Sequence, residues 1–266
     1  MKITFIGCGV MGEAVLSAIL DKRLSLPQAI SVSDINEARR RHLKQKYGVE
    51  VVSSNPGALT GRDIIILAIK PQNLAEVMVE LSGKLNSAQL VLSIIAGARI
   101  NSLRLGLKHD CIVRAMPNTP AQIGEGISVW TPTAEVTQQQ KVWAGSILGA
   151  MGTEIYIDDE KYIDMATAVS GSGPAYIFLF MESLIDAAVN IGLPRDMAQE
   201  LVLHTVLGSG HFIQKSDKPL AVLRKMVTSP GGTTEAALNK LAEKDFSNLI
   251  LQAVIAAYNR AQELGS

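Results

Sequence analysis

Cysteine is almost absent. The 266 residues contain only Cys8 and Cys111. Two cysteines cannot build a disulfide framework, and these two lack metal-site spacing, so a reducing compartment is expected. Net charge is missing as well. Twenty-five basic residues balance twenty-five acidic ones with no basic block, which argues against nucleic acid as the main partner. Of the four histidines, His204 and His211 stand seven apart without a third ligand of suitable spacing, so no metal is expected. His42 and His109 sit in polar surroundings and read as surface residues. Long unbroken hydrophobic runs are lacking too. The opening MKITFIG is too short for a signal-peptide core. The most apolar later stretch, Ala175–Ile191, is broken by Glu182 and Asp186 and reads as short of a membrane span. These absences predict a soluble cytoplasmic protein with no membrane partner. What is present is material for a core: 47% hydrophobic and 19% charged residues, enough for one large domain or two modest ones.

The first half of the chain alternates strand-like and helix-like segments. Lys2–Ile6 reads as a strand, Met11–Asp21 as a helix, Ile30–Ser33 as a second strand and Glu37–Tyr47 as a charged helix. Asp63–Ile69 and Leu90–Ile95 are short apolar runs of the kind covered on both sheet faces. Cys111–Ala115 and Thr153–Ile157 read as further strands. Such alternation predicts an α/β fold built from parallel βαβ units. Beyond Asp164 only helical signals remain, so a boundary is placed near residue 160, giving domains 1–160 and 161–266. Ser172, Gly173 and Pro174 suit a helix start, Gly192 its end, and Pro194 the next start. In that helix the polar residues Glu182, Asp186 and Asn190 form one narrow stripe and nearly everything else is apolar. The pattern predicts cover on several sides, supplied either by its own helical domain or, as the preferred reading, by a subunit interface.

Gly7-Cys8-Gly9-Val10-Met11-Gly12 follows the first strand and opens a helix. In a G-x-G-x-x-G loop the first glycine permits the tight turn, the second lets backbone approach a pyrophosphate, and the third lets helix and strand pack closely. Amides at the helix start favour the anion. Asp34 stands 22 positions beyond Gly12, near the spacing of a ribose-binding acid. A dinucleotide site is therefore predicted. Asp34 would bond a free ribose 2′-hydroxyl, whereas Ser33, Asn36, Arg39 and Arg40 stand near enough to accommodate a 2′-phosphate. NAD and NADP both remain open. Ala68-Ile69-Lys70-Pro71 and Ile94-Ile95-Ala96-Gly97 end later strands and would reach the same crevice, with Lys70 on the cofactor side. After the strand at Cys111–Ala115, Asn118 in the stiff loop PNTP is a further candidate there.

VTSPGGTTEAAL, residues 227–238, crowds Ser229, Gly231, Gly232, Thr233 and Thr234 at a helix entrance. The pattern suits ordinary capping or a docking site for a small anion, and the residues alone leave both open.

Taken in order, GCGVMG, AIKPQ, RAMPNTP, SGSGPAY, IGLPRDMA and TSPGGTTEAAL make the whole chain resemble the pyrroline-5-carboxylate reductase family. The resemblance implies an N-terminal Rossmann-type dinucleotide-binding domain followed by an all-α dimerisation domain, with dimers that in many members assemble into a decamer. It implies reduction of 1-pyrroline-5-carboxylate to L-proline by NADH or NADPH, the last step of proline biosynthesis. Carried over by motif, cofactor contacts fall on Gly7 to Gly12, Ser33, Asp34, Asn55, Ala68 to Pro71 and Ile94 to Ala96. Substrate contacts fall on the TSPGGTT signature from Ser229 to Thr234, with Asp217 a weaker candidate. The substrate is a small ring bearing a carboxylate. The resemblance therefore implies that amides at Gly231 and Gly232 hold the carboxylate, while the Thr234 hydroxyl, in the catalytic role, meets the imine nitrogen and orients the C=N carbon. Asp34 is a departure, because NADP-preferring members often lack a carboxylate after the serine.

Other readings compete. A 3-hydroxy-acid reductase would need a lysine near SGSGPAY, and none occurs between Lys161 and Lys215. A reductase of another small cyclic imine would share all the logic above. A nucleotide-sensing regulator would have no use for TSPGGTT.

Overall fold

The computed structural model describes residues 1–265. By packing, the chain forms two units: Met1–Ser172 together with residues from Ala257 on, and Gly173–Ala256.

The first unit is built on one eight-stranded sheet in the order β3-β2-β1-β4-β5-β6-β7-β8. In chain order the strands are β1 (Ile3–Ile6), β2 (Ile30–Ser33), β3 (Glu50–Val52), β4 (Ile64–Leu67), β5 (Leu90–Ser93), β6 (Ile112–Met116), β7 (Gly126–Pro132) and β8 (Gly152–Tyr156). All neighbours run parallel except β6 and β7. The helices between them are α1 (Val10–Asp21), α2 (Glu37–Tyr47), α3 (Leu74–Leu81), α4 (Ile100–Leu107) and α5 (Gln138–Gly149).

Every residue of β1, β2, β4 and β5 is buried, which is why these strands read as unbroken apolar runs. The two-residue period still sorts them. Ile64 and Ile66 pack into one face with Leu16 and Ile19, whereas Ile65 and Leu67 join Val77 and Leu81 on the other. Each such side chain contributes about 1.5–3 kcal/mol by leaving water. β1 pairs with β2 at Ile3↔Ile30 and with β4 at Ile3↔Ile64. The chain leaves β1 to one side and returns on the other, so a switch point opens at the carboxyl ends of β1 and β4, where such sheets bind ligands.

Three features differ from the sequence expectation. β3 and β7 were not anticipated: β3 has three residues, and β7 is held by antiparallel pairing to β6, with Ala115 opposite Trp130. His109, expected at the surface, is 5% exposed, and a ring nitrogen lies 2.8 Å from the Gln89 carbonyl oxygen. Arg114 on β6 is also buried; its guanidinium donates to Glu160 at 2.7 Å and to Asp164 at 2.6 Å, so the charge is paired where burial alone would be costly.

The third difference concerns the apolar helix. It begins at Gly173, as the Ser172-Gly173-Pro174 signal predicts, but a π-helical turn leads into it. α6 (Lys161–Ala166) runs through a π-helical turn at Thr167–Gly171 into α7 (Gly173–Asn190). The wider turn, marked by the Ser172 N–H donating to the Thr167 carbonyl at 2.8 Å, admits Pro174, which has no N–H to give. The longer run Lys161–Asn190 passes a test of length and composition for a membrane span, whereas the stretch read from the sequence, Ala175–Ile191, is interrupted by Glu182 and Asp186.

The second unit also contains α8 (Arg195–Gln214), α9 (Leu220–Met226) and α10 (Thr233–Glu243), and α11 (Phe246–Leu264) ends the described chain. α7 packs against α8, yet none of its own residues is buried. Phe178 is 58% exposed and Leu179 63%, so burial of this helix within its own chain, one of the two alternatives its sequence raised, is not what the fold provides.

Candidate active site

The first unit carries a crevice of about 420 Å³ at the switch point. Gly7, Cys8 and Gly9 line it from the turn between β1 and α1, Ser33 and Asp34 from the end of β2, and Ala68, Ile69 and Lys70 from the end of β4. Asn55 joins them. These are nine of the residues expected to meet a dinucleotide. Val10, Met11, Gly12, Pro71, Ile94, Ile95, Ala96 and Asn118 are not in that lining. Ile94 and Ile95 are core residues, 8% and 3% exposed. Asn118 uses its side-chain oxygen to accept the Ile127 N–H at 2.9 Å, bracing β7 rather than turning into the crevice.

The glycines have the geometry of a phosphate cradle. Gly7 has φ +74°, and a Cβ there would collide with Ile69 Cγ2. A Cβ on Gly12 would come within 3.1 Å of Ala68 Cβ, so this glycine keeps helix and strand close. Gly9 differs: it lines the crevice, and a Cβ there would meet no protein atom within 4 Å. That open approach to bare backbone is what a pyrophosphate requires, and the site fits the group.

The electrostatics hold the loop from beneath. Asp34 Oδ2 accepts the Cys8 N–H at 3.0 Å, and Oδ1 accepts the Asn36 N–H at 2.9 Å. Asp34 thus shapes the loop as well as facing the crevice, a role its spacing alone did not reveal. Arg39 Nε donates to the Cys8 carbonyl at 2.6 Å and Nη2 to the Gly9 carbonyl at 3.0 Å. Glu13, on α1, meets Arg39, His42, Lys46 and Tyr47 of α2. Burial works against its charge, but hydrogen bonds led by Lys46 and Tyr47 outweigh it and hold the Glu13 pKa down to about 2. The Cys8 thiol is fully buried and pushed up to about 12, mainly by that burial, so only its backbone can serve a ligand.

In the second unit, TSPGG lies in the connection between α9 and α10, and the two threonines that follow open α10. Gly231 takes φ +71°. Its N–H donates to Glu235 Oε2 at 2.7 Å, and the Gly232 N–H donates to the Ser229 carbonyl at 3.0 Å. The amides expected to hold a carboxylate, those of Gly231 and Gly232, are therefore already engaged. The amides without an intrahelical partner are those of Thr233, Thr234 and Glu235 in the first turn of α10. No side chain caps this helix at Gly232, so capping does not explain the hydroxyls. Asp217 is exposed between α8 and α9. No group of three metal-ligating side chains occurs among the described residues.

Known proteins match both parts. Residues 160–264 match the family model described as pyrroline-5-carboxylate reductase dimerisation, and residues 2–97 the one described as NADP oxidoreductase, coenzyme F420-dependent. The pyrroline-5-carboxylate reductase of Synechocystis sp. is 40% identical over 265 residues, covering 100% of this chain and 98% of the relative. The chain belongs to the pyrroline-5-carboxylate reductase family. The reductase of Arabidopsis thaliana is 37% identical across 99% of this chain and 95% of its own. The crystal structure of Plasmodium falciparum pyrroline carboxylate reductase, with NADP bound, superposes with TM-score 0.91 at 34% identity, covering 100% of this chain and 98% of that one. Like other members, this reductase is an NAD(P)H-dependent oxidoreductase with a Rossmann-type N-terminal domain and a helical C-terminal domain.

Proposed function

We infer that this reductase carries out the family reaction: 1-pyrroline-5-carboxylate, its imine nitrogen protonated from water, takes hydride from NADH or NADPH at the C=N carbon, and L-proline is released. Full-length identity of 40% to the Synechocystis sp. enzyme carries this reading. The open backbone at Gly9 supports the cofactor half, and the uncapped start of α10 supports the substrate half.

When bound, the reduced nicotinamide supplies the hydride. The chain's own residues bind and orient. Amides of Gly9 and its loop hold the pyrophosphate, and Ser33, Asp34 and Asn55 meet the adenosine ribose. Amides of Thr233, Thr234 and Glu235 receive the substrate carboxylate at the helix start, where the dipole favours an anion. The Thr234 hydroxyl donates to or accepts from the imine nitrogen as its proton requires, fixing the plane of the ring. No paired carboxylate or nucleophile is required, because the difficult bond change belongs to the cofactor.

The assembly belongs to the same reading. Exposed Ile177, Phe178, Leu179 and Phe180 on α7 form an apolar surface that water disfavours, and the match to a dimerisation family across residues 160–264 supports its burial in a homodimer. Dimers could then assemble further, as in decameric members. We place the protein in the cytoplasm, consistent with its two free cysteines.

The test mixes the protein with NADH or NADPH and 1-pyrroline-5-carboxylate, following absorbance of the reduced cofactor and proline formed. Imine-dependent oxidation with equimolar proline is expected. Cofactor binding without turnover would instead support the sensor reading.

A further inference from the structure

A hydrogen-bond chain runs into the crevice from a residue that the sequence reading did not single out. Glu80, on α3, accepts from Asn55 Nδ2 at 2.7 Å. Asn55 Oδ1 in turn accepts from Ser33 Oγ at 2.7 Å. Three elements far apart in sequence, the end of β2, the turn after β3 and the helix after β4, meet in this chain, and all three residues line the crevice.

The direction of the chain follows from its last member. A carboxylate only accepts, so Asn55 must turn its NH₂ group to Glu80 and its oxygen to Ser33. Ser33 must then give its single proton to Asn55. What the Ser33 oxygen has left for a ligand is lone pairs. A ribose 2′-hydroxyl is a donor and fits them. A 2′-phosphate at neutral pH offers mainly acceptors and meets lone pair against lone pair.

The charges around the chain act in the same sense. Asp34, Glu76 and Glu80 line the crevice against Lys70, and no arginine does so among the described residues. The two arginines nearest in sequence are engaged: Arg39 with the Cys8 and Gly9 carbonyls and Glu13, and Arg40 Nη1 with the Asp34 carbonyl at 2.5 Å.

We propose that Glu80, acting through Asn55 and Ser33, is a positioning residue that selects the unphosphorylated ribose and makes NADH the preferred cofactor of this reductase. The inference rests on the assignment of the crevice to a dinucleotide, but not on the identity of the imine. Glu80→Gln relaxes the constraint, because an amide can accept from or donate to Asn55; Asn55 can then reverse and free the Ser33 proton for a phosphate.

The experiment is calorimetric titration of the full-length protein with NADH and with NADPH, without imine. Wild type is expected to bind NADH at least about tenfold more tightly, the scale of one mismatched hydrogen bond near repelling charge. Glu80→Gln should narrow the ratio by about fivefold or more, mainly through tighter NADPH binding. Ser33→Ala, a smaller change at the far end of the chain, should narrow it through weaker NADH binding. Equal or tighter NADPH binding by wild type would overturn the proposal, as would an unchanged ratio in Glu80→Gln or an equal loss for both cofactors. If the ratios behave as stated but 1-pyrroline-5-carboxylate is not reduced, the substrate assignment fails and the selection mechanism stands.

Discussion

The carboxylate of Asp34 and the backbone N–H of Cys8 lie 3.0 Å apart, although 26 residues separate them in sequence. This bond ties the end of β2 to the glycine loop, so an acid expected to read a ribose also shapes the phosphate cradle. Asp34→Ala should therefore weaken NADH by about tenfold, the cost of leaving the loop amide without its charged acceptor, and NADPH by less, because the same change removes a charge that repels the 2′-phosphate. Titration calorimetry checks it. An effect confined to one dinucleotide would mean that Asp34 reads the ribose alone.

Gly7 and Gly9 should separate folding from binding. Gly9→Ala adds a methyl group where no protein atom lies within 4 Å, so the melting temperature should hold while dinucleotide affinity falls at least about tenfold. Gly7→Ala forces a side chain into φ +74° and onto Ile69, and should cost about 1–3 kcal/mol of stability. Thermal melts and titrations on both variants distinguish the two behaviours.

Thr234→Ala should lower kcat by roughly ten- to hundredfold while leaving NADH affinity within about twofold, since the hydroxyl is assigned to the imine and not to the cofactor. Thr234→Ser should restore much of the rate. Steady-state kinetics beside cofactor titration gives the answer, and unchanged turnover in the alanine variant would remove Thr234 from the mechanism.

Glu13 sets an acid limit. Its folded pKa of about 2 lies below the ordinary 4.5, so its contribution is complete above about pH 4.5 and is lost as pH falls toward 2. Glu13→Gln should reduce stability at pH 7 by roughly 1–3 kcal/mol and flatten the pH dependence between those limits. Denaturant melts from pH 7 down to pH 3 measure this, and parallel curves for the two proteins would refute it.

Part of this site was legible in the residues themselves. GCGVMG between an apolar strand and an amphipathic helix requires only local chemistry, and the structure gives its glycines positive φ or close approach where the motif needs them. β2 and α2 fall where the periodicity set them, because Asn36 caps α2 locally and Gly48 ends it in a left-handed turn. Other features were not legible. Nothing near Glu80 marks it as a partner of Asn55, since α3 must first pack beside the crevice. His109 looked exposed because its neighbours in sequence are polar, but the Gln89 carbonyl that buries it belongs to another segment. Strand β7 went unread although Ile127, Val129, Trp130 and Thr131 are strand formers; it sits between β6, paired antiparallel, and β8, paired parallel, a placement that only the assembled sheet reveals.

The sequence by itself determined the βαβ alternation, the phosphate loop and the amphipathic character of the helices, all of which follow from interactions between residues a few positions apart. Only the tertiary structure decided that Asp34 binds the loop it faces and which way the protons point from Ser33 to Glu80. Those outcomes depend on groups from distant segments competing for the same donors and acceptors, and that competition exists only once strand register and helix packing have brought them within hydrogen-bonding distance.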